Sequence, residues 1–117
     1  MKTVRVILSP EAEEVYKYLN EHAEHSKRER TFFNVVNKKI DLIKANVHYG
    51  DSIAKKRIPS EYRIKYGVDN LFRVELPNYW RMLYTLTEGE NQIEIVAFVL
   101  DIFDHKEYNK KFGYKNK

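Results

Sequence analysis

Apolar positions along the chain follow two periods, and each stretch predicts an element. Val4, Val6 and Leu8 alternate with Arg5 and Ile7, which predicts a strand over residues 3–8. Ser9-Pro10 is a helix start, with serine at the cap and proline in the first turn. Glu11, Glu13 and Glu14 then lie where the helix dipole favours anions. Ala12, Val15, Leu19 and Ala23 form one apolar stripe, so a helix is expected over residues 10–23. Ser26 and Glu29 have the spacing of a capping box. Phe32, Phe33, Val36, Ile40, Ile43 and Val47 then recur at intervals of three and four, with Gly50 as the expected stop. Two such helices joined by a short turn predict an antiparallel hairpin whose stripes form a core.

Residues 58–67 fit two readings. Pro59 and Gly67 frame a short helix, whereas Tyr62, Ile64 and Tyr66 alternate as a strand would; the helix is the preferred reading. Three strands are expected next. Phe72, Val74 and Leu76 alternate with Leu71, Arg73 and Glu75, and Trp80, Met82, Tyr84 and Leu86 alternate with Tyr79, Arg81, Leu83 and Thr85. After a turn at Glu88-Gly89-Glu90-Asn91, residues 93–100 are almost wholly apolar, as in a central strand covered on both faces. A two-residue turn at 77–78 would put apolar and charged positions on one face. A three-residue turn at 77–79 pairs Leu76 with Trp80, Val74 with Met82 and Phe72 with Tyr84, and sets Glu75 opposite Arg81 with Arg73 diagonal to it. Asp104 and Glu107 form a second capping box before a short helix over residues 105–112, closed by Gly113. The expected fold is α+β: a helical hairpin packed on a small, mainly antiparallel four-stranded sheet, in the order β-α-α-(α)-β-β-β-α, as a single domain over residues 1–117.

Composition narrows the chemistry. The chain has 117 residues, 43% of them apolar, enough for one core, and no cysteine, which excludes thiolate catalysis and cysteine-based zinc sites. It has no apolar run of membrane-spanning length and no export signal, so the cytoplasm is the expected compartment. Net charge is +4. Lys55, Lys56, Arg57, Arg63 and Lys65 face only Glu61 within their segment, and Lys106, Lys110, Lys111, Lys115 and Lys117 only Glu107. Such clusters suit a polyanion such as RNA, and equally an ordinary solvated basic surface. His22, His25 and His48 lack ligand spacing, so no metal is expected. The four glycines stand singly at turns, so there is no phosphate-binding glycine loop and no cofactor is expected.

The order of elements, with the segments LFRVELPNYWRMLYTL (71–86) and DHKEYNKKFGY (104–114), resembles the RelE/ParE/HigB superfamily of toxins from toxin–antitoxin pairs. The resemblance spans nearly the whole chain. It implies a cytoplasmic toxin that cuts mRNA on the ribosome and is restrained by an antitoxin protein. The family's sheet arginine falls on Arg81 and the basic residue of the preceding strand on Arg73. Its C-terminal tyrosine and its histidine or basic residue fall on Tyr108, His105 and Lys106. The second basic residue of the RelE strand falls on Glu75, a departure that removes a proposed acid–base lysine and sets a carboxylate beside Arg81.

Cleavage without metal needs a base for the ribose 2′-OH, cations for the phosphorane-like transition state, and an acid for the departing 5′ oxygen. The unperturbed pKa of a histidine lies near neutrality, so His105 suits the acid–base work, or it packs beside Asp104. Tyr108 is an acid, a platform for a base, or a packing aromatic. Arg81 is the expected phosphate clamp, or a cross-strand partner of Glu75; Arg73 is a weaker form of the same. Lys55, Lys56, Arg57, Arg63, Lys65, Lys110 and Lys111 would hold RNA backbone. Two other outcomes stay open: a ParE-like non-nuclease that binds a protein target such as DNA gyrase, and an inactive relative acting only as a binding domain. In each case an antitoxin, acidic by charge, would lay a helix or strand on the hairpin or the sheet edge. No membrane partner is expected, and a homo-oligomer stays open without being predicted.

Overall fold

The computed structural model describes residues 3–89 and 94–113, without the side chains at 94–96 and 105. The expected turn residues Glu90 and Asn91, the strand start at Ile93, and Lys115 and Lys117 fall outside that range. The elements are β1 (Thr3–Leu8), α1 (Pro10–His22), α2 (Lys27–Ala45), β2 (Asp51–Ser52), α3 (Ser60–Tyr66), β3 (Phe72–Glu75), β4 (Trp80–Glu88), β5 (Glu94–Asp104) and α4 (His105–Phe112). The chain is thus mixed α and β, as its periodicities require. None of the described helices is long and apolar enough to cross a membrane.

The sheet has five strands, not the expected four, in the order β1-β5-β4-β3-β2. The additional strand is β2, two residues paired antiparallel with β3, too short for any alternation to betray it. β1 runs parallel to β5, and the other pairs are antiparallel. The β3–β4 register is the one that the three-residue turn requires: Phe72 opposite Tyr84, Val74 opposite Met82, Glu75 opposite Arg81. Both apolar stripes then share one face, where Val74, Met82, Tyr84, Ala97 and Val99 pack with Ala12, Leu19, Phe32, Val36 and Ile43 of the helical hairpin. A second cluster covers the other face, with Leu83 and Leu100 of the sheet against Tyr62 and Tyr108 of α3 and α4. β5 is therefore buried on both sides, which explains its nearly unbroken apolar run.

Between Leu83 and Tyr84 the β4–β5 register slips: Leu83 pairs with Asp101 and Tyr84 with Val99, so Leu100 is the extra residue of a bulge. Ser9, fully buried, satisfies that irregularity. Its Oγ donates to the Leu100 carbonyl at 2.6 Å and accepts from the Ala12 amide at 3.0 Å, while its own amide donates to Val99 at 2.8 Å. One hydroxyl caps α1 and pairs the bulge carbonyl. Ser9→Ala removes both bonds and is expected to cost about 2–3 kcal/mol, read as a lower urea midpoint at unchanged m-value.

α2 ends at Ala45, earlier than the stop expected at Gly50. Asn46 leaves the helical region, and its Oδ1 accepts from the His48 amide at 3.1 Å, a local bond that competes with helix continuation. Val47 therefore lies outside the helix. The Tyr84 hydroxyl pins the turn that follows, donating to the Val47 carbonyl at 2.7 Å and accepting from the Gly50 amide at 2.9 Å. Gly50 serves close approach: a Cβ there would lie 2.9 Å from Tyr84 Cε1 and 3.0 Å from the Arg73 carbonyl. The ambiguous segment at 58–67 is helical over Ser60–Tyr66, and Gly67, at φ 63°, closes it.

Candidate functional site

The β3–β4 register puts Arg73, Glu75 and Arg81 on the sheet face opposite the hairpin. α4 begins where β5 ends, with the Asp104 carboxylate accepting from the Glu107 amide at 2.9 Å. That junction sets Tyr108, only 4% exposed, over the same face. Phe112, one turn on, stacks on the Tyr108 ring with centroids 4.5 Å apart, and Phe103 meets it edge-on at 6.0 Å. Both arginines converge on this tyrosine. Arg73 Nη1 donates to the Tyr108 hydroxyl at 3.2 Å, and the Arg81 guanidinium lies over the ring, 4.9 Å from its centroid.

Charge is unevenly balanced here. Glu75 Oε1 stands 3.3 Å from Arg73 Nε and 3.7 Å from Arg81 Nε, within ion-pair distance of each. Neither contact has the geometry of a hydrogen bond, and both Nε atoms are buried without a hydrogen-bond partner. One exposed carboxylate thus lies between two guanidiniums and leaves donors unused. Asp51, on β2, reaches Arg73 Nη2 only at 3.9 Å. The Arg81 side chain is 14% exposed and that of Arg73 35%. The Tyr108 hydrogen bond, then the Glu75 and Asp51 carboxylates, push the pKa of Arg73 up from its already high value. Two partly desolvated guanidiniums with spare donors can take two oxygens of one anion, and phosphate fits that geometry. Arg73, Tyr108 and Asp51 also border a cleft of about 370 Å³ that Lys56 and Arg57 line as well.

The expected cations divide between this site and other contacts. Lys56 and Arg57 line the cleft. Lys55 is exposed beside them, and its carbonyl accepts from the Arg63 guanidinium. Lys65 is paired with Glu11, which also accepts from Tyr66 at 2.9 Å; the Lys65 bond holds the Glu11 carboxyl down at about 2. Lys111 lies 2.9 Å from Glu61 and 3.6 Å from Asp101, over the Tyr62 ring, and Tyr62 donates to Asp101 at 2.6 Å. Burial raises the pKa of Asp101 and, with the Asp101 charge beside it, that of the Tyr62 phenol. This group fastens α4 to α3 and β5, so Lys65 and Lys111 have carboxylate partners of their own. Lys110, exposed, borders a separate cleft of about 390 Å³ with Glu61 and Glu107, and Lys106 is exposed on α4. The His105 side chain lies outside the described residues.

Tyr108 does not offer its ring to a base, as the sequence reading allowed: Phe112 and Arg81 lie against it. The sequence reading passed over Phe112, although its spacing of four from Tyr108 on one helix was visible. It passed over Asp51 as well, where the sequence offered no signal. Among the described residues, no group of three or more His, Asp or Glu is placed to hold a metal ion. Compared with known protein families, with characterised proteins and with solved structures, the chain matches none.

Proposed function

We propose that this chain is a toxin of the RelE/ParE/HigB type, a metal-independent endoribonuclease acting on mRNA at the ribosome and restrained by an acidic antitoxin. The observation that carries the reading is the convergence of Arg73 and Arg81 on Tyr108, with buried Nε donors unused beside a cationic cleft. In the proposed reaction the ribose 2′ oxygen attacks the adjacent phosphorus and the bond from phosphorus to the 5′ oxygen breaks. Arg73 and Arg81 hold the non-bridging oxygens as charge builds on them. The 2′-OH proton passes to a base, for which Glu75 lies within reach of both arginines and His105 opens α4. The Tyr108 hydroxyl supplies a proton to the departing 5′ oxygen. The products are a 2′,3′-cyclic phosphate and a 5′-hydroxyl.

Glu75 is also the observation that favours a second reading, since a carboxylate between the arginines opposes an anionic ligand. That reading is a ParE-like protein that binds a target such as DNA gyrase. A translating extract with a defined mRNA separates the two. The nuclease reading predicts new mRNA 5′ ends, mapped by primer extension, within minutes of adding the protein. Arrested growth in cells with intact mRNA would favour the second reading.

A further inference from the structure

Asp101 stands where β5, α3 and α4 meet, and the bulge in β5 puts it there. Had β5 run on without Leu100 as an extra residue, Asp101 would lie opposite Met82, whose side chain is fully buried against the hairpin. With the bulge it lies opposite Leu83, on the face that α3 and α4 cover. Its side chain is mostly buried there. It accepts from the Tyr62 hydroxyl of α3 at 2.6 Å and lies 3.6 Å from Lys111 Nζ of α4, which also meets Glu61 of α3 at 2.9 Å.

α4 depends on such contacts, because a helix of eight residues is too short to be stable alone. Asp104 caps its first turn and Lys111 lies in its last, so its two ends are held separately. Lys111 and Tyr108 are three residues apart and therefore neighbours on the helix surface. The rotation of α4 about its axis that brings Lys111 to Asp101 also brings the Tyr108 hydroxyl 3.2 Å from Arg73 Nη1 and its ring beneath the Arg81 guanidinium.

We infer that Asp101 is a positioning residue: by holding Tyr62 and Lys111 it sets the rotation of α4 that places Tyr108 against Arg73 and Arg81. The inference rests on the nuclease reading and deepens it, since the proton donor proposed for the departing oxygen is then placed by a carboxylate outside the phosphate site. The coupling runs through groups in direct contact and needs no longer path.

The test follows the Arg73 and Arg81 Nε–H signals of the isotope-labelled protein without RNA, with the Met82 methyl signal as a monitor of the hairpin core. In Asp101→Ala both arginine signals should move, that of Arg73 toward its position in Tyr108→Phe, while the Met82 methyl stays. The kcat for RNA cleavage should fall about tenfold to a hundredfold, with KM changed by less than about twofold. Asp101→Asn, which keeps an acceptor for Tyr62, should recover most of both. A role in stability alone would move neither the arginine signals nor kcat of a folded variant. Arginine signals at their wild-type positions in folded Asp101→Ala would overturn the inference, and so would moved signals with an unchanged kcat. If Asp101→Ala does not fold, Lys111→Met decides, read in the same way. If the signals move as expected but wild type cuts no RNA, the positioning role stands and the nuclease reading falls.

Discussion

Arg81→Ala is expected to lower the rate of RNA cleavage by about a hundredfold to a thousandfold, the usual loss when one preorganised donor to a developing charge is removed. The side chain is mostly buried, lies over the Tyr108 ring, and has an Nε with no hydrogen-bond partner. Folding should survive, because its contact with Glu75 is a partly exposed ion pair worth about 1 kcal/mol or less. Arg81→Lys should restore little activity, since an ammonium cannot present the planar fork that spans two phosphate oxygens. Initial cleavage rates together with circular-dichroism melts measure both parts. Cleavage by a folded Arg81→Ala variant within threefold of wild type would remove Arg81 from the reaction.

Gly50→Ala should lower stability by an amount comparable to Ser9→Ala, although Gly50 touches no proposed reactant. The added Cβ would lie 2.9 Å from Tyr84 Cε1, 3.0 Å from the Arg73 carbonyl and 3.2 Å from Phe72 Cβ. Tyr84 cannot easily give way: it is fully buried, stacks on Phe72 at 5.2 Å and is bonded through its hydroxyl to Val47 and Gly50. The strain therefore falls on β3 at Arg73. Overpacking of this kind costs about 1–3 kcal/mol, or roughly 4–12 °C in melting temperature for a chain this small. Gly67→Ala is the control. It meets no atom within 4 Å, and only its φ of +63° opposes a side chain, so its loss should be smaller. A larger loss in Gly67→Ala than in Gly50→Ala would mean that the close approach at Tyr84 is misdescribed.

The sequence was most readable where a long apolar period fixed a face. The stripe Phe72, Val74, Leu76 against Trp80, Met82, Tyr84 selected the three-residue turn and the pairing of Glu75 with Arg81, because a slip of one residue would have buried charge. The caps at Ser9, Ser26 and Asp104 were legible for a similar reason, since each supplies a side-chain acceptor to an orphan amide. β2 was not legible, because a two-residue strand has no period and is held only by its neighbour, β3. The role of Gly50 was misread as a helix stop because its reason is a contact with Tyr84, 34 residues away in sequence. At the site, Arg73, Arg81 and Tyr108 come together, while the side chain of His105 lies outside the described residues. That Lys65 and Lys111 are engaged by Glu11, Glu61 and Asp101 depends on tertiary packing that clusters of like charge in a sequence do not reveal.

The most direct measurement is the arginine Nε–H spectrum of the isotope-labelled protein, recorded while an uncleavable 2′-O-methyl RNA is added. If Arg73 and Arg81 form one phosphate-binding site, their two Nε–H signals should move together, along a single saturation curve. If both stay fixed while RNA binding shifts signals elsewhere on the chain, the paired guanidiniums serve only to hold α4 on the sheet.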